Sequence, residues 1–335
     1  MFPYYNMTKT CASCLDFDAN KVVKSSDDLK PQWLRSKDYV SEFIAKQTKF
    51  TNHSPRVKKS FLVSMKLPVG SIHGGKKILY WAARPMATPS LHVNDAKQAY
   101  GSFENSGVAT VTQSGYVNIE FACPQNYRTV EKGHKYPKTY FRHVHFVVSN
   151  KDNTEWLQQI YTKIVVCNLS MKETIAQEKT GNVILVNSLP PEYYAKDHIE
   201  GSYQLDAISI RKMTHSEVHK WFVDIAKIHH PSIYRAIRSG KIAPYEIPVI
   251  VYCAHEKCDA GEKAIVELMK KGMVNVQHFP GGMQMYSAHR RLFSSIKPCI
   301  VKSANTRKNR NGKVSPTRAN KSRTQRKTKK NVRFV

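Results

Sequence analysis

The sequence is short of acid. It carries 25 Asp and Glu against 53 Lys and Arg, so 335 residues hold a formal net charge of +28. Acid is missing altogether from Lys302 to Arg333, where 13 of those positive charges sit, leaving +15 for the rest. A surface of one sign favours polyanions such as DNA, RNA or an anionic membrane. Long apolar runs are missing too: no stretch approaches 18 consecutive apolar residues, which argues against a transmembrane helix. The first residues, "MFPYYNMTKTCASCLDFD", lack a basic segment followed by an apolar one, so no secretory signal is expected. Seven cysteines in a chain of this length are too few for a disulfide scaffold. These absences together predict an intracellular protein of the cytoplasm or nucleus, not a secreted one. In that reducing setting cysteine serves catalysis, redox chemistry or metal binding more often than structural bridges.

What is present falls into four parts. Residues 1–35 are polar and mixed, and read as poorly ordered. "CASC" at Cys11 to Cys14 has zinc or redox spacing but lacks a second pair and a strand–turn–helix context. Residues 36–168 read as mostly β. "SFLVSMKL", "KKILYWAA", "GVATVTQ", "YVNIEFAC", "YFRHVHFVVS" and "IYTKIVVC" are short runs rich in Val, Ile, Tyr and Phe between Gly, Asn, Ser and Pro clusters. Gly115 in "TQSGY" marks a hairpin turn, and "EWLQQIYTK" is expected to carry a helical turn before its strand. Strands at this spacing predict a β-sandwich-like domain.

Residues 169–299 change pattern. "KETIAQEKTG" reads as a helix ending at Gly181, "NVILVNS" as a buried strand, and "SEVHKWFVDIAKIH" as an amphipathic helix. "EIPVIVYC" is a second buried strand, "DAGEKAIVELMKKG" a helix stopped by Gly272, and "VNVQHF" a third strand. Buried strands alternating with helices predict an α/β domain with a parallel sheet. Residues 300–335 have almost no apolar side chains to offset ordering entropy and read as a disordered basic tail. Its near lack of aromatics points to backbone phosphate contact, not base stacking. "RTQRKTKK" at Arg323 to Lys330 also suits a nuclear localisation signal.

Cys253 draws the chemistry. It ends a buried strand just before a helix, where backbone N–H groups and the helix N-terminus favour a thiolate. His255 and Lys257 assist that ionisation. Glu256 and Asp259 oppose it, so the sign of the net shift is open at this stage.

This region resembles the rhodanese-like domain family. Three blocks carry the resemblance in order: "VILVNSLPPEYYAKDHIEGSYQL", "PVIVYC", and "KAIVELMKKGMVNVQHFPGGMQMY", within about Met171 to Pro298. The resemblance implies an α/β fold and a sulfurtransferase. Cys253 would be the nucleophile that forms a persulfide, and Ala254, His255, Glu256, Lys257 and Cys258 the loop that cradles sulfane sulfur or an anion. A sulfur donor such as thiosulfate and a thiol or cyanide acceptor would be the partners, with no cofactor required. Several positions depart from the family pattern. Asn187 and Leu189 replace its early Asp and Arg, Asp197 replaces a Gly, and Tyr286 a Trp. Cys258 stands where an Arg or Thr is usual, which favours a pair in which Cys258 resolves a persulfide or sulfenate as a disulfide. A cysteine phosphatase would need an Arg at position 259, and Asp259 there repels phosphate.

The second constellation is "CPQNYRTVEKGHKYPKTYFRHVHFVV". His143 and His145, two apart on a strand, share one face and could begin a metal site. His134, Tyr136 and Tyr140 lie close upstream. The stretch resembles the metal-binding end of the intradiol dioxygenase β-sandwich, whose non-haem iron takes two Tyr and two His. By that resemblance Tyr127, His143 and His145 would be ligands for iron or another metal, Tyr100 a candidate fourth, and Arg142 a loose match to an upstream Arg. Packing on aromatics or solvation would equally account for the two histidines.

Three functions are therefore expected in competition. One is sulfur transfer or thiol redox chemistry at Cys253 and Cys258. Another is a non-catalytic interaction or assembly protein with a vestigial rhodanese fold, held to nucleic acid through residues 302–333. The third is a metal-binding β-sandwich protein.

Overall fold

A computed structural model describes residues 22–24, 39–56, 62–85, 91–94, 96–130 and 137–294. The CASC pair, His134, Tyr136 and the basic tail lie outside them.

The β-rich region begins with β1 (Val23–Lys24), α1 (Tyr39–Lys46), β2 (Leu62–Pro68) and β3 (Lys77–Ala82). It continues through β4 (Leu91–His92), α2 (Ala96–Tyr100), β5 (Ser106–Thr110), β6 (Tyr116–Ala122), β7 (Tyr127–Thr129), β8 (Lys138–Tyr140), β9 (His143–Val148) and β10 (Tyr161–Ile164). A five-stranded sheet runs β1-β10-β9-β3-β5; β2 pairs with β6, and β4, β7 and β8 form a third sheet. β3 and β9 lie at its centre, and every residue of β9 is buried.

Alternation along these strands sorts the core into two faces. Ile78, Tyr80, Val144, Phe146 and Val148 pack with Val63 and Leu67 of β2 and Ile119 and Phe121 of β6. Leu79, Trp81 and Val147 face the other way, onto Phe43 and Ile44 of α1, Tyr100, Tyr127 and Tyr140. The central sheet is thus covered on both sides, by a strand pair on one and by helices and a small sheet on the other. Gly115 makes the expected turn, with φ +83° and its N–H bonded to Thr112 O at 2.9 Å. The expected helical turn in "EWLQQIYTK" is absent. Trp156 instead bridges to Ser149, stacks on Phe50 and donates its indole N–H to Gln47 O at 2.7 Å. Burial of that indole fixes an extended path that local propensity does not.

The α/β region comprises α3 (Met171–Glu178), β11 (Ile184–Asn187), α4 (Pro191–Tyr194), β12 (Tyr203–Gln204), α5 (Ala207–Lys212), α6 (His215–His229) and α7 (Pro231–Arg238). β13 (Val249–Tyr252), α8 (Ala260–Lys270), β14 (Val276–Phe279) and α9 (Gly282–Ser294) complete it. The sheet is parallel, in order β12-β11-β13-β14. Capping boxes start two helices, Ser170 with Glu173 and Thr214 with Glu217, each satisfying N–H groups that lack helical partners. Val186, Val249, Val251 and Val276 pack under α5, α6, α7 and α8. Leu185, Ile250, Tyr252 and Phe279 pack on the other face with Leu169 and Met171.

The two regions share buried contacts. Phe141 and Ile164 of the first belong to the core of the second. Glu246, in the 3-10 turn Pro244–Glu246, accepts from Arg128 Nη2 at 2.7 Å and from Thr139 Oγ1. Arg142 donates to Asn275 Oδ1 at 2.6 Å, and Asn126 to Val274 O at 2.9 Å. A disulfide joins Cys123 to Cys167. These two cysteines form a structural bridge, the less expected of the uses read from the sequence. No helix of the described residues is long and apolar enough to cross a membrane.

Candidate functional site

Cys253 follows β13 directly and is fully buried. The residue before it is locked: Tyr252 Oη accepts from Ile199 N–H at 2.9 Å and Asn187 Nδ2 at 3.1 Å. The carbonyl of Cys253 itself accepts from Met283 N–H at 2.9 Å. That contact requires Gly282, since a Cβ there would stand 2.3 Å from Cys253 O, and its φ is +55°. The double glycine therefore lets the start of α9 close on the cysteine.

The thiol faces carbonyls. Cys253 Sγ lies 3.1 Å from Cys258 O and 3.7 Å from His255 O. Both Cys253 and Cys258 are free, Cys258 half-buried. Burial pushes the Cys253 thiol up, to about 11, and the hydrogen bond with the Cys258 thiol adds to the rise, against a downward pull from the Gly261 main chain. The sign left open by the sequence is upward. Asp259 is exposed and paired with Lys263 at 2.7 Å.

A residue the sequence reading passed over stands beside it. His278 lies on β14 in register with Val251, two before Cys253, so alternation puts it on the same face as the cysteine. It is 4% exposed, and its Nε2 has no hydrogen-bond partner. The signal available was a lone histidine four residues before Gly282, but only the strand register ties it to Cys253.

The β-rich region gathers the other predicted residues. Tyr127 Oη lies 2.9 Å from His143 Nε2 and 3.3 Å from Tyr100 Oη. The rings of His143 and His145 are 4.6 Å apart. Both Nδ1 atoms are engaged, His143 with Phe141 O at 2.7 Å and His145 with Thr162 Oγ1 at 2.8 Å. Each Nε2 is therefore the atom left for the cluster. All four side chains are buried, and burial pushes His143 down to about 4. Arg142 is elsewhere, turned to Asn275. Among the described residues no group of three His, Cys, Asp or Glu converges as a metal site. The phenol and imidazole donors fit a ferric ion in kind, since hard oxygen and imidazole ligands both suit iron.

Comparison with known proteins bears on the α/β region. The family model of the rhodanese-like domain matches residues 170–289. No curated protein matches the chain. Among solved structures, a human single-domain sulfurtransferase is 16% identical over 36% of this chain and 95% of its own, at a TM-score of 0.24. A single-domain sulfurtransferase of Saccharomyces cerevisiae is 13% identical over 40% of this chain and 97% of its own, at 0.27. An uncharacterised Saccharomyces cerevisiae protein reaches 23% identity over 37% of this chain and 92% of its own, at 0.25. With the parallel sheet, the flanking helices and the cysteine loop in place, residues 170–289 are a rhodanese-like domain, preceded in this chain by a β-rich region.

Proposed function

We propose that the rhodanese-like domain transfers sulfur, with Cys253 as the nucleophile. The observation that carries this reading is the pair of free, interacting thiols, Cys253 and Cys258, at the end of β13. In the first step Cys253 bonds the outer sulfur of a donor such as thiosulfate, the donor's S–S bond breaks, and sulfite leaves with the electron pair. An acceptor thiol or cyanide then takes the sulfur from the persulfide. Alternatively, Cys258 attacks Cys253 Sγ, forming a disulfide and releasing hydrogen sulfide. The loop residues Ala254, His255, Glu256 and Lys257 would border the bound donor.

Full-length protein incubated with thiosulfate is expected to gain one sulfur atom at Cys253 by peptide mass analysis. Cys253→Ser abolishes the gain. Cys258→Ser keeps the persulfide but forms no disulfide at Cys253. Wild-type protein that neither gains sulfur at Cys253 nor forms the Cys253–Cys258 disulfide, together with Cys258→Ser protein that gains no sulfur, refutes the reading.

A second reading rests on a separate observation, the convergence of Tyr100, Tyr127, His143 and His145 with both Nδ1 atoms engaged. Metal-ligating histidines are commonly oriented in this way by a bond from the other ring nitrogen. These four would hold a ferric ion, which supplies a Lewis acid and, with phenolate ligands, visible absorption. Elemental analysis of purified full-length protein is expected to find about one iron per chain, lost in His143→Ala. Wild-type protein free of iron and of any other transition metal, even after reconstitution with ferrous or ferric salts, removes this reading.

A further inference from the structure

The stretch "KQTKFTNHSPR", from Lys46 to Arg56, has no acidic residue and carries Lys46, Lys49, His53 and Arg56. Beyond the end of α1 it is neither helix nor strand, yet it is anchored along its length. Phe50 stacks on Trp156 with ring centroids 4.4 Å apart, and Gln47 O takes the Trp156 indole N–H at 2.7 Å. His53 and Val108 exchange both main-chain hydrogen bonds at 3.0 Å, and Arg56 N–H reaches Glu104 O at 3.1 Å. The backbone is therefore held in advance, so a ligand would not have to order it. Its side chains wrap a half-open cavity of about 340 Å³. Lys46, Lys49, His53 and Arg56 all line it, and no carboxylate of the described residues does.

Lys46 pairs with Glu42 at 3.4 Å, a contact between two exposed side chains of the kind that contributes little. Lys49 and Arg56 have no carboxylate partner among the described residues. Like charges gathered on one concave wall repel one another, and an anion seated among them removes that repulsion. Lys offers a point charge, and Arg a planar fork that matches phosphate oxygens. Thr48, Thr51 and Ser54 add hydroxyl donors to the same wall. A second cleft, of about 560 Å³, shares His53 and Ser54 with the first. Its lining is of another kind, with Asn52, Ser64 and Asn118 beside Met65 and Ile119. It also holds Glu120, the one carboxylate of either lining, to which Ser64 Oγ donates at 3.1 Å. Lys66 lines this cleft too, but its ammonium is drawn over the Tyr116 ring, 4.3 Å from the centroid. A carboxylate accepts from hydroxyls and repels phosphate, so the two clefts suit different ends of one molecule.

We infer that these joined clefts bind a phosphorylated sugar, free or carried in a nucleotide. Its phosphate sits among Lys46, Lys49 and Arg56, and its hydroxyls reach Glu120. His53 stands where the two clefts meet. Its Nδ1 is engaged with Thr51 O at 3.1 Å, so that nitrogen carries the proton and Nε2 is the acceptor, a partner for a sugar hydroxyl. The site belongs wholly to the β-rich region, and its linings include neither Cys253 nor the histidines of β9. It therefore depends on neither reading of the protein's chemistry given above.

Calorimetric titration of the full-length chain at constant ionic strength tests the site, with ribose-5-phosphate, AMP, ribose and inorganic phosphate as probes. At least one of the two phosphorylated sugars is expected to fill a single site, about tenfold or more tighter than inorganic phosphate, with ribose alone not bound. Changing Lys49→Ala together with Arg56→Ala weakens that ligand about a hundredfold. Glu120→Ala weakens it about tenfold and leaves inorganic phosphate no weaker, which separates the hydroxyl end from the phosphate end. Lys49, Arg56 and Glu120 are exposed, so these variants are expected to keep the wild-type denaturation midpoint. AMP binding at least as tightly as ribose-5-phosphate assigns a nucleotide, and weaker or absent AMP binding a free sugar phosphate. Phosphorylated sugars that bind no better than inorganic phosphate overturn the inference. So does tight binding that survives the Lys49→Ala and Arg56→Ala changes, which would place the ligand elsewhere on this basic chain.

Discussion

Tyr252 shows how closely a single residue can be accounted for. A phenol hydroxyl has one proton and accepts at its lone pairs. Ile199 N–H and Asn187 Nδ2 donate to Tyr252 Oη, and Ser202 Oγ lies 2.7 Å away. Ser202 gives its own proton to Ile199 O at 2.6 Å, so Tyr252 donates to Ser202. All of these groups are buried. The departure at Asn187 from the family's Asp makes sense here: an amide can donate to the phenol, whereas a buried carboxylate could only accept and would need a cation. Tyr252→Phe leaves the Ile199 N–H and the Asn187 amide without their acceptor. It is expected to lower unfolding free energy by about 1–3 kcal/mol, read from denaturant unfolding of the full-length chain. An unchanged midpoint would mean that water or a shifted Ser202 replaces the hydroxyl.

At the scale of elements, β11, β13 and β14 and the helices α3, α6 and α8 of the α/β region were readable because pattern and stop signal agree, whereas the two-residue β12 and the 13-residue α9 were not read. α8 alternates apolar residues at helical spacing and ends before Gly272, whose φ is +86°. α7 was not read, although Pro231 opens it and Ile233 and Ile237 share its buried face; eight residues give too short a window for periodicity to stand out. The shared face of His143 and His145 was legible, since strand parity needs only the sequence. Their meeting with Tyr100 and Tyr127 could be expected only from a family resemblance, because it depends on how α2 and β7 pack over β9. The same limit explains His278. Its parity with Cys253 depends on the register of β14 against β13, and a slip of one residue would turn the imidazole to the opposite face of the sheet. Cys253 itself was found because its strand, loop and helix are contiguous in the chain, but the direction of its pKa shift needed its burial and the neighbouring Cys258 thiol.

For the whole molecule, the Cys123–Cys167 disulfide has a position that no local pattern indicates. Cys123 follows β6 in the β-rich region, and Cys167 lies 44 residues later in the chain, just past β10. From there the chain runs beside β14 as an edge: Asn168 bridges to His278, whose N–H and carbonyl bond Cys167 O and Leu169 N–H. The bridge thus pins the segment that joins the two regions and borders the strand carrying His278. Closing a loop of this length restricts the unfolded chain by about 4 kcal/mol in the chain-entropy account. Reductant is therefore expected to lower the denaturation midpoint of the full-length protein by an amount equivalent to about 2–4 kcal/mol. The double variant Cys123→Ser with Cys167→Ser should start from the lowered midpoint and not respond to reductant. Cys253 and Cys258, free in the native state, contribute nothing to that difference, so Cys258→Ser should respond to reductant as the wild type does. A wild-type midpoint indifferent to reductant would show that the buried contacts of Glu246, Arg142 and Asn126 hold the two regions together without the bridge.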